Sequence, residues 1–462
     1  MIKLIMTLPP TSLWWDSLPK PLQTRESLNK DIDVDVAIIG AGYTGLWSAY
    51  YLLKKSPGIK IALLESNVAG FGASGRNGGW CSALFPVGLD KLAQQSNKEK
   101  AVRMQQIMFE TVDEVGNVIQ NENIDAEWQK GGSFSIARDK IQLNRAIDEV
   151  NHYKEWGFKD SDYTFLDENS AKSRINASDI KGATFTPHCA AINPAKLVRS
   201  LAQIVEAKGA QIFENTKVLN FSNNVARTPN SKISYKYIIN ATEGYRSNLP
   251  GLKRTSIPVY SLMIATDVLS EKIWNEIGLK NRETFADYRN VIIYGQRTKD
   301  NRFAFGGRGA PYHFGSKIDN KFDIHKPTHD ELLRTLVELF PVIKGVKVTH
   351  AWGGPLSIAR DWAAHVSLDA KSGVASAGGY VGDGVGTSNL AGRTLADLIL
   401  KNESEIVSMP WVNHKSKQWE FEPFRWIGVN GTLELAKIAD FVERKFKKAT
   451  FITSLLNKLR GH

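Results

Sequence analysis

Cysteine is almost absent from the 462-residue chain, which has only Cys81 and Cys189, and the two form neither a disulfide framework nor a metal-ligand spacing. This excludes a disulfide-stapled secreted module. It points instead to a reducing compartment, with the cytoplasm as the expected location and no metal site expected. The opening residues MIKLIMTLPP contain no apolar stretch of signal-peptide length. No repeat, low-complexity linker or nucleic-acid recognition motif is present, and the Lys and Arg residues behind the net charge of +11 are scattered. Nucleic acid is therefore not an expected partner. What remains is 42% hydrophobic and 23% charged, the composition of an ordinary globular protein long enough for two domains.

Residues 36 to 53, VAIIGAGYTGLWSAYYLL, form one uncharged run. Its length is about the minimum for a helix that crosses a bilayer. Its internal pattern argues for something else. Gly40, Gly42 and Gly45 make G-x-G-x-x-G directly after a β-branched segment that reads as a buried parallel strand. A tight turn needs Gly40, close approach of a pyrophosphate needs Gly42, and close packing of helix on strand needs Gly45. The helix that follows would aim free N–H groups at the phosphates. A second apolar strand, 59 to 64, ends in Glu65, where an acid accepts hydrogen bonds from ribose hydroxyls. The run is read as the floor of a βαβ nucleotide site.

Further segments return to that site. GFGASGRNGGW, residues 70 to 80, is a glycine-rich loop. Helical spacing predicts one long helix over 89 to 120. NPAKLVRSLAQIVEAKGAQIFENTKV, from 193, reads as a helix opened by Pro194, closed by Gly209 and followed by a strand. YKYIINATEG follows as a buried strand and polar turn. Residues 255 to 345 read as strand-like and aromatic, with VIIYGQRT and RFAFGGRGAPY as hairpin partners. Residues 372 to 400 read as strand, glycine-rich loop and helix. A chain that leaves and re-enters one domain repeatedly fits a long cofactor such as FAD, on which loops 70–80, 240–244 and 379–387 converge. NAD would need no such late glycine loop.

The order GAGYTG, Glu65, GASGRNGG, NPAKL, INATEG and GYVGDGVGTSNLAGRTLADLI resembles the D-amino-acid oxidase and glycine oxidase family of FAD-dependent amine oxidoreductases, over roughly residues 30 to 400. GASGRNGG and the segment WEFEPFRWIGVN, residues 419 to 430, are most similar to its γ-glutamylputrescine oxidoreductase and aminophosphonate oxidoreductase branch. The resemblance implies an α/β fold, α+β in part. A Rossmann-type FAD-binding domain of glutathione-reductase-like kind would be interrupted by an antiparallel-sheet substrate domain. The expected division gives residues 1–90, 190–252 and 346–405 to the FAD domain. Residues 91–189 and 253–345 go to the substrate domain, and 406–462 to a C-terminal helical extension. The chain departs from the family at two positions: Glu243 stands where a small residue is usual, and Asp383 stands between glycines where histidine is common.

The implied chemistry is hydride transfer from the α-carbon of an amine to the flavin, giving an imine. The FAD-binding set expected beside Gly40, Gly42, Gly45 and Glu65 is Tyr43, Thr44, Ser66, Ser74, Gly75, Arg76, Asn77, Gly78, Gly79, Val218, Ala241, Thr242, Gly244, Gly379, Gly382, Asp383, Gly384 and Val385. Thr387 or Ser388 would cap a helix beginning after Gly386 and stabilise the reduced ring. Arg308, with Tyr312 beside it, is the expected anchor for a substrate carboxylate or phosphonate. Trp80 and Trp352 are candidate pocket walls, His350 and His365 candidate bases, and Cys81 is read as a small buried hydrophobe rather than a flavin link. Other readings are an NAD-dependent dehydrogenase and a non-catalytic flavin-binding subunit. The acceptor is oxygen or an electron carrier, and the assembly a monomer or small homo-oligomer. Residues 441 to 462 carry Arg444, Lys445, Lys447, Lys448, Lys458 and Arg460, with Phe451, Ile452, Leu455, Leu456 and Leu459 on one helical face. They read as a helix docked on the body, with peripheral contact to the inner face of an anionic membrane as the second reading.

Overall fold

The computed structural model describes residues 12–453 and Leu456, so MIKLIMTLPP and the expected Leu455, Lys458, Leu459 and Arg460 lie outside the described residues. Strand Ile32–Ile39 is central to the first sheet because it is apolar on both faces, with Val36, Ala37 and Ile38 fully buried. It pairs in parallel with Ile61–Leu64 on one side and Lys232–Asn240 on the other. Gln211–Phe213 and Val374–Gly378 extend the parallel order outward. The antiparallel strand His365–Asp369 closes one edge. Helix Pro194–Ala207 forms as expected, with Asn193 accepting from Lys196 N–H and Gly209 at φ +106° ending it.

The second sheet is almost wholly antiparallel, and among the described residues its only parallel pair is Thr284–Asp287 with Ser133–Ala137. Ile293–Arg297 and Phe303–Gly307 are hairpin partners in it, as their sequences predict.

Three expectations are corrected. The helix over 89–120 is two, Leu89–Gln95 and Lys98–Asn121, because Asn97 turns its side chain onto Lys100 N–H and caps a new start. The segment 255–345 also contains helices, Glu271–Ile277 and Lys326–Leu339. In the latter, Leu332, Leu336 and Leu339 recur at helical spacing and are all buried. Strand Val348–Ile358, placed with the FAD domain by the sequence, pairs along Ile257–Thr266 in the antiparallel sheet. It carries Trp352, which is fully buried and donates its indole N–H to Arg76 O, so Trp352 is part of the core.

The last long helix, Phe424–Phe446, docks on the body through its acids. Asp440 accepts from the Asn290 and Val291 amides at 2.6 and 2.9 Å, and Glu443 accepts from Arg145 at 2.8 Å. Among the described residues, no helix is long and apolar enough to cross a membrane.

Candidate functional site

Where strand Ile32–Ile39 ends, Gly40 turns at φ +101°, in backbone that favours glycine, and donates its N–H to Leu64 O. A Cβ at Gly45 would stand 2.1 Å from Gly40 O and 3.1 Å from Ile38 Cγ2, so this glycine lets helix Tyr43–Lys55 seat on the strand. Gly42 caps that helix without a side chain. A second helix, Gly384–Leu400, starts beside it, and its N-cap residue likewise makes no side-chain bond to the helix. Two positive helix ends therefore open on one space, which is an anion site by construction.

That space is a cavity of about 1270 Å³, and its lining includes Gly40, Gly42, Tyr43, Thr44, Glu65, Ser74, Thr242, Gly382 and Val385. Glu65 is held in place by the Ala41 and Asn67 amides, each at 2.9 Å. Burial pushes its carboxyl above the ordinary range while those amides pull it back.

A second cavity, of about 1400 Å³, is lined by Ile257, Val259, Ile358, Trp362 and Trp419 among others, with Arg308 and Tyr312 also in its wall. Helix Phe424–Phe446 covers it with Val429 and Leu433. Arg308, in the wall of the second cavity, lies beside Gly382 of the first. Its guanidinium donates to Val381 O, and its Nη2 lies 2.5 Å from where a Cβ of Gly382 would be; that side-chain end can give way, and it is the φ of +106° that favours glycine there.

Residues 35–398 match the model of the FAD dependent oxidoreductase family. The chain belongs to that family. It is 29% identical over 395 residues to the gamma-glutamylputrescine oxidoreductase of Escherichia coli (strain K12), covering 84% of this chain and 89% of the relative. It is 31% identical over 381 residues to the probable oxidoreductase OrdL of Rhizobium meliloti (strain 1021), covering 80% and 84%. The solved glycine oxidase of Geobacillus kaustophilus superposes with a TM-score of 0.67 at 19% identity, covering 83% of this chain and 99% of that one.

The protein is thus an FAD-dependent oxidoreductase. The residues present fit FAD. The two helix N-termini suit a pyrophosphate, and Glu65 suits a ribose. Ser66, Asn77, Val218, Ala241, Gly244 and Gly384 line the same cavity as the residues named above.

Other expected contacts lie elsewhere. Arg76 does not line the cavity; its guanidinium is spent on Asp323 at 2.6 Å, Tyr245 OH at 2.8 Å and Gly353 O at 3.2 Å. Gly75, Gly78 and Gly79 are required by packing, since a Cβ would meet Gly70 O and Trp15, the Tyr294 ring, or Gln296 and Ile192 O. Gly379 faces a separate polar cavity and donates its N–H to Glu243. Helix Gly384–Leu400 begins before Thr387, with Asp383 at its cap, and the Thr387 hydroxyl donates back to Asp383 O. His350 is tied to Asp16 at 3.0 Å, and half-buried His365, held with Arg246 and Ser376, lines the polar cavity. Trp80 packs edge-on to Tyr294, and Cys81 is fully buried.

Sequence reasoning missed Tyr380, Glu243 and Lys217, which all line the FAD cavity. Tyr380 OH and Thr44 Oγ1 are 2.9 Å apart and join the two helix starts. Glu243 sits at φ +41° and accepts from Gly379 N–H, and burial pushes it up to about 7. Its departure from the family's small residue was the available signal.

Proposed function

We propose that the chain oxidises a small primary or secondary amine carrying an acidic group to an imine, which water then converts to an aldehyde or keto acid. One observation carries this reading. Arg308 lies in the wall of an apolar cavity, beside Gly382 of the FAD cavity, and among the described residues no carboxylate lies within ion-pair distance of it. A guanidinium in that position would take a carboxylate or phosphonate in a bidentate grip and so fix which carbon faces the FAD side. Bound FAD supplies the two-electron oxidising power. The apolar wall of Ile257, Val259, Ile358, Trp362 and Trp419 excludes water from the amine. Tyr312 shapes this wall but does not bind through its hydroxyl, which donates to Glu422 at 2.9 Å and pairs with Ser316.

The domain division follows the two sheets in this reading, with the 348–358 strand moved to the substrate side. The outer face of helix Phe424–Phe446 exposes Phe424, Ile427, Ile438 and Phe441 beside Lys437 and Lys445. That combination supports peripheral contact with an anionic membrane, for which co-sedimentation with anionic but not zwitterionic vesicles is the check.

The central test is an anaerobic absorption spectrum of the holoprotein, titrated with γ-glutamylputrescine, 2-aminoethylphosphonate, sarcosine, glycine and D-alanine. Bleaching of the flavin band by one of them is expected, and admitting air then separates oxygen from a carrier as acceptor. In Arg308→Ala the KM for that amine should rise by roughly two orders of magnitude, the scale of a lost charged hydrogen bond, with FAD content unchanged. An unchanged KM removes Arg308 from the site.

A further inference from the structure

The proposed function leaves Asp383 without a task. It stands between Gly382 and Gly384, which both line the FAD cavity, at the cap of helix Gly384–Leu400. Its side chain makes no bond to that helix's amides. Ser82 Oγ donates to it at 3.3 Å, a long bond. The Arg308 guanidinium interacts with it electrostatically, yet the two do not approach within the 4.0 Å of an ion pair. Both side chains are half-buried, and neither has an ion-pair partner among the described residues. The two charges match those of a zwitterion, Arg308 suiting its anion and Asp383 its cation.

We propose that Asp383 receives the substrate's amine: the acidic group rests on Arg308, the ammonium rests on the Asp383 carboxylate, and that carboxylate takes one ammonium proton. In the transfer an N–H bond breaks and an O–H bond forms. The bonding pair stays on nitrogen as its lone pair, and the opposite charges on ammonium and carboxylate cancel. No further reactant is consumed. The free amine so produced is the form whose lone pair assists loss of hydride from the neighbouring carbon. Geometry supplies the base in the right state: burial pushes Asp383 up to about 6 against the pull of Arg308, so it is ionised at neutral pH and close to the value that suits a general base. Among the described residues, the Tyr380 phenol, bonded through its backbone to Asp383 and pushed up by burial, and the Cys189 thiol, pushed up by burial to about 12, are also near it. Neither that thiol nor Arg308 changes charge between about pH 5 and about pH 8.

This inference rests on the proposed function and has a readout that needs no turnover. Acetate, a carboxylate without an amine, is titrated into the holoenzyme and followed by perturbation of the flavin spectrum. Ionised Asp383 repels acetate at Arg308, so affinity should fall roughly tenfold from about pH 5 to about pH 8. In Asp383→Asn it should be level across that range. In turnover, D383N should lose roughly 100-fold in kcat/KM near pH 7 and recover as the pH approaches the amine's own pKa. A level acetate affinity in the wild-type holoenzyme overturns the inference, and that experiment stands even where D383N does not retain FAD. A D383N kcat/KM profile that parallels the wild type also overturns it. Failure of the underlying reading looks different: acetate then binds Arg308→Ala as tightly as wild type.

Discussion

At the scale of single residues, the glycines around the FAD cavity act by different means, and their substitutions should fail differently. A Cβ at Gly42 would lie 2.8 Å from Ser74 Oγ, the atom that accepts from Tyr43 N–H at the helix start. Gly42→Val therefore pushes Ser74 off that start and fills the pyrophosphate approach. The purified variant should be colourless, and a yellow, fully loaded variant contradicts the assignment. Glu243 gives a pH signature instead. Its ordinary value of 4.5 is raised to about 7 by burial, so the folded chain binds a proton more tightly than the unfolded one. Stability contributed by protonated Glu243 is full below about 4.5 and falls as pH rises toward 7, beyond which it is level. The melting temperature of wild type minus that of Glu243→Gln in the apoprotein should decline across this window, by the equivalent of about 2–3 kcal/mol. A constant difference from pH 4.5 to 7 shows that the carboxyl is not held protonated.

At the scale of elements, the two helices that open on FAD are seated against each other at Gly392. A Cβ there would stand 2.6 Å from Trp47 Cβ and 2.7 Å from Trp47 C, and backbone cannot yield as a side-chain end does. Even Gly392→Ala should separate the helices, at a cost of about 1–3 kcal/mol. Because Gly384 moves with its helix, the same variant should lower both melting temperature and FAD affinity; intact affinity in a destabilised variant shows that the helix starts are held elsewhere, through Tyr380 and Thr44. The strand, turn and helix at 32–55 were legible in the sequence because hydrophobic period and glycine spacing agree there. The start of the last helix was not. Thr387 and Ser388 are good capping residues by type, but their hydroxyls bond backward inside the helix, to Asp383 O and Val385 O, and the chain begins the helix on a glycine. The break at Asn97 was hidden because apolar spacing continues through it, and only its side-chain cap marks the stop.

At the scale of the whole molecule, the order of segments predicts that the chain returns repeatedly to one cofactor cavity, and the parallel sheet with its late strand Val374–Gly378 has that form. The join between the two sheets was not legible, because it depends on residues far apart in sequence. Arg76 follows the loop below the FAD cavity, and Asp323 lies in a turn that packs on strand Val348–Ile358 of the other sheet. They meet at 2.6 Å with side chains 1% and 2% exposed. Arg76, read from sequence as a cofactor donor, thus works as a rivet, and its remaining bonds run to Tyr245 and Gly353 on either side. Removing one partner leaves an uncompensated buried charge. Asp323→Asn should cost about 3–5 kcal/mol, whereas Arg76→Met combined with Asp323→Leu should recover most of it, since apolar replacements of a buried pair are often neutral. Thermal unfolding of the three proteins decides between the roles. If the double variant is stable and fully loaded with FAD, the pair serves only to join the sheets. If it is stable but colourless, the Arg76 charge acts on the cofactor through Tyr245, which lines the FAD cavity.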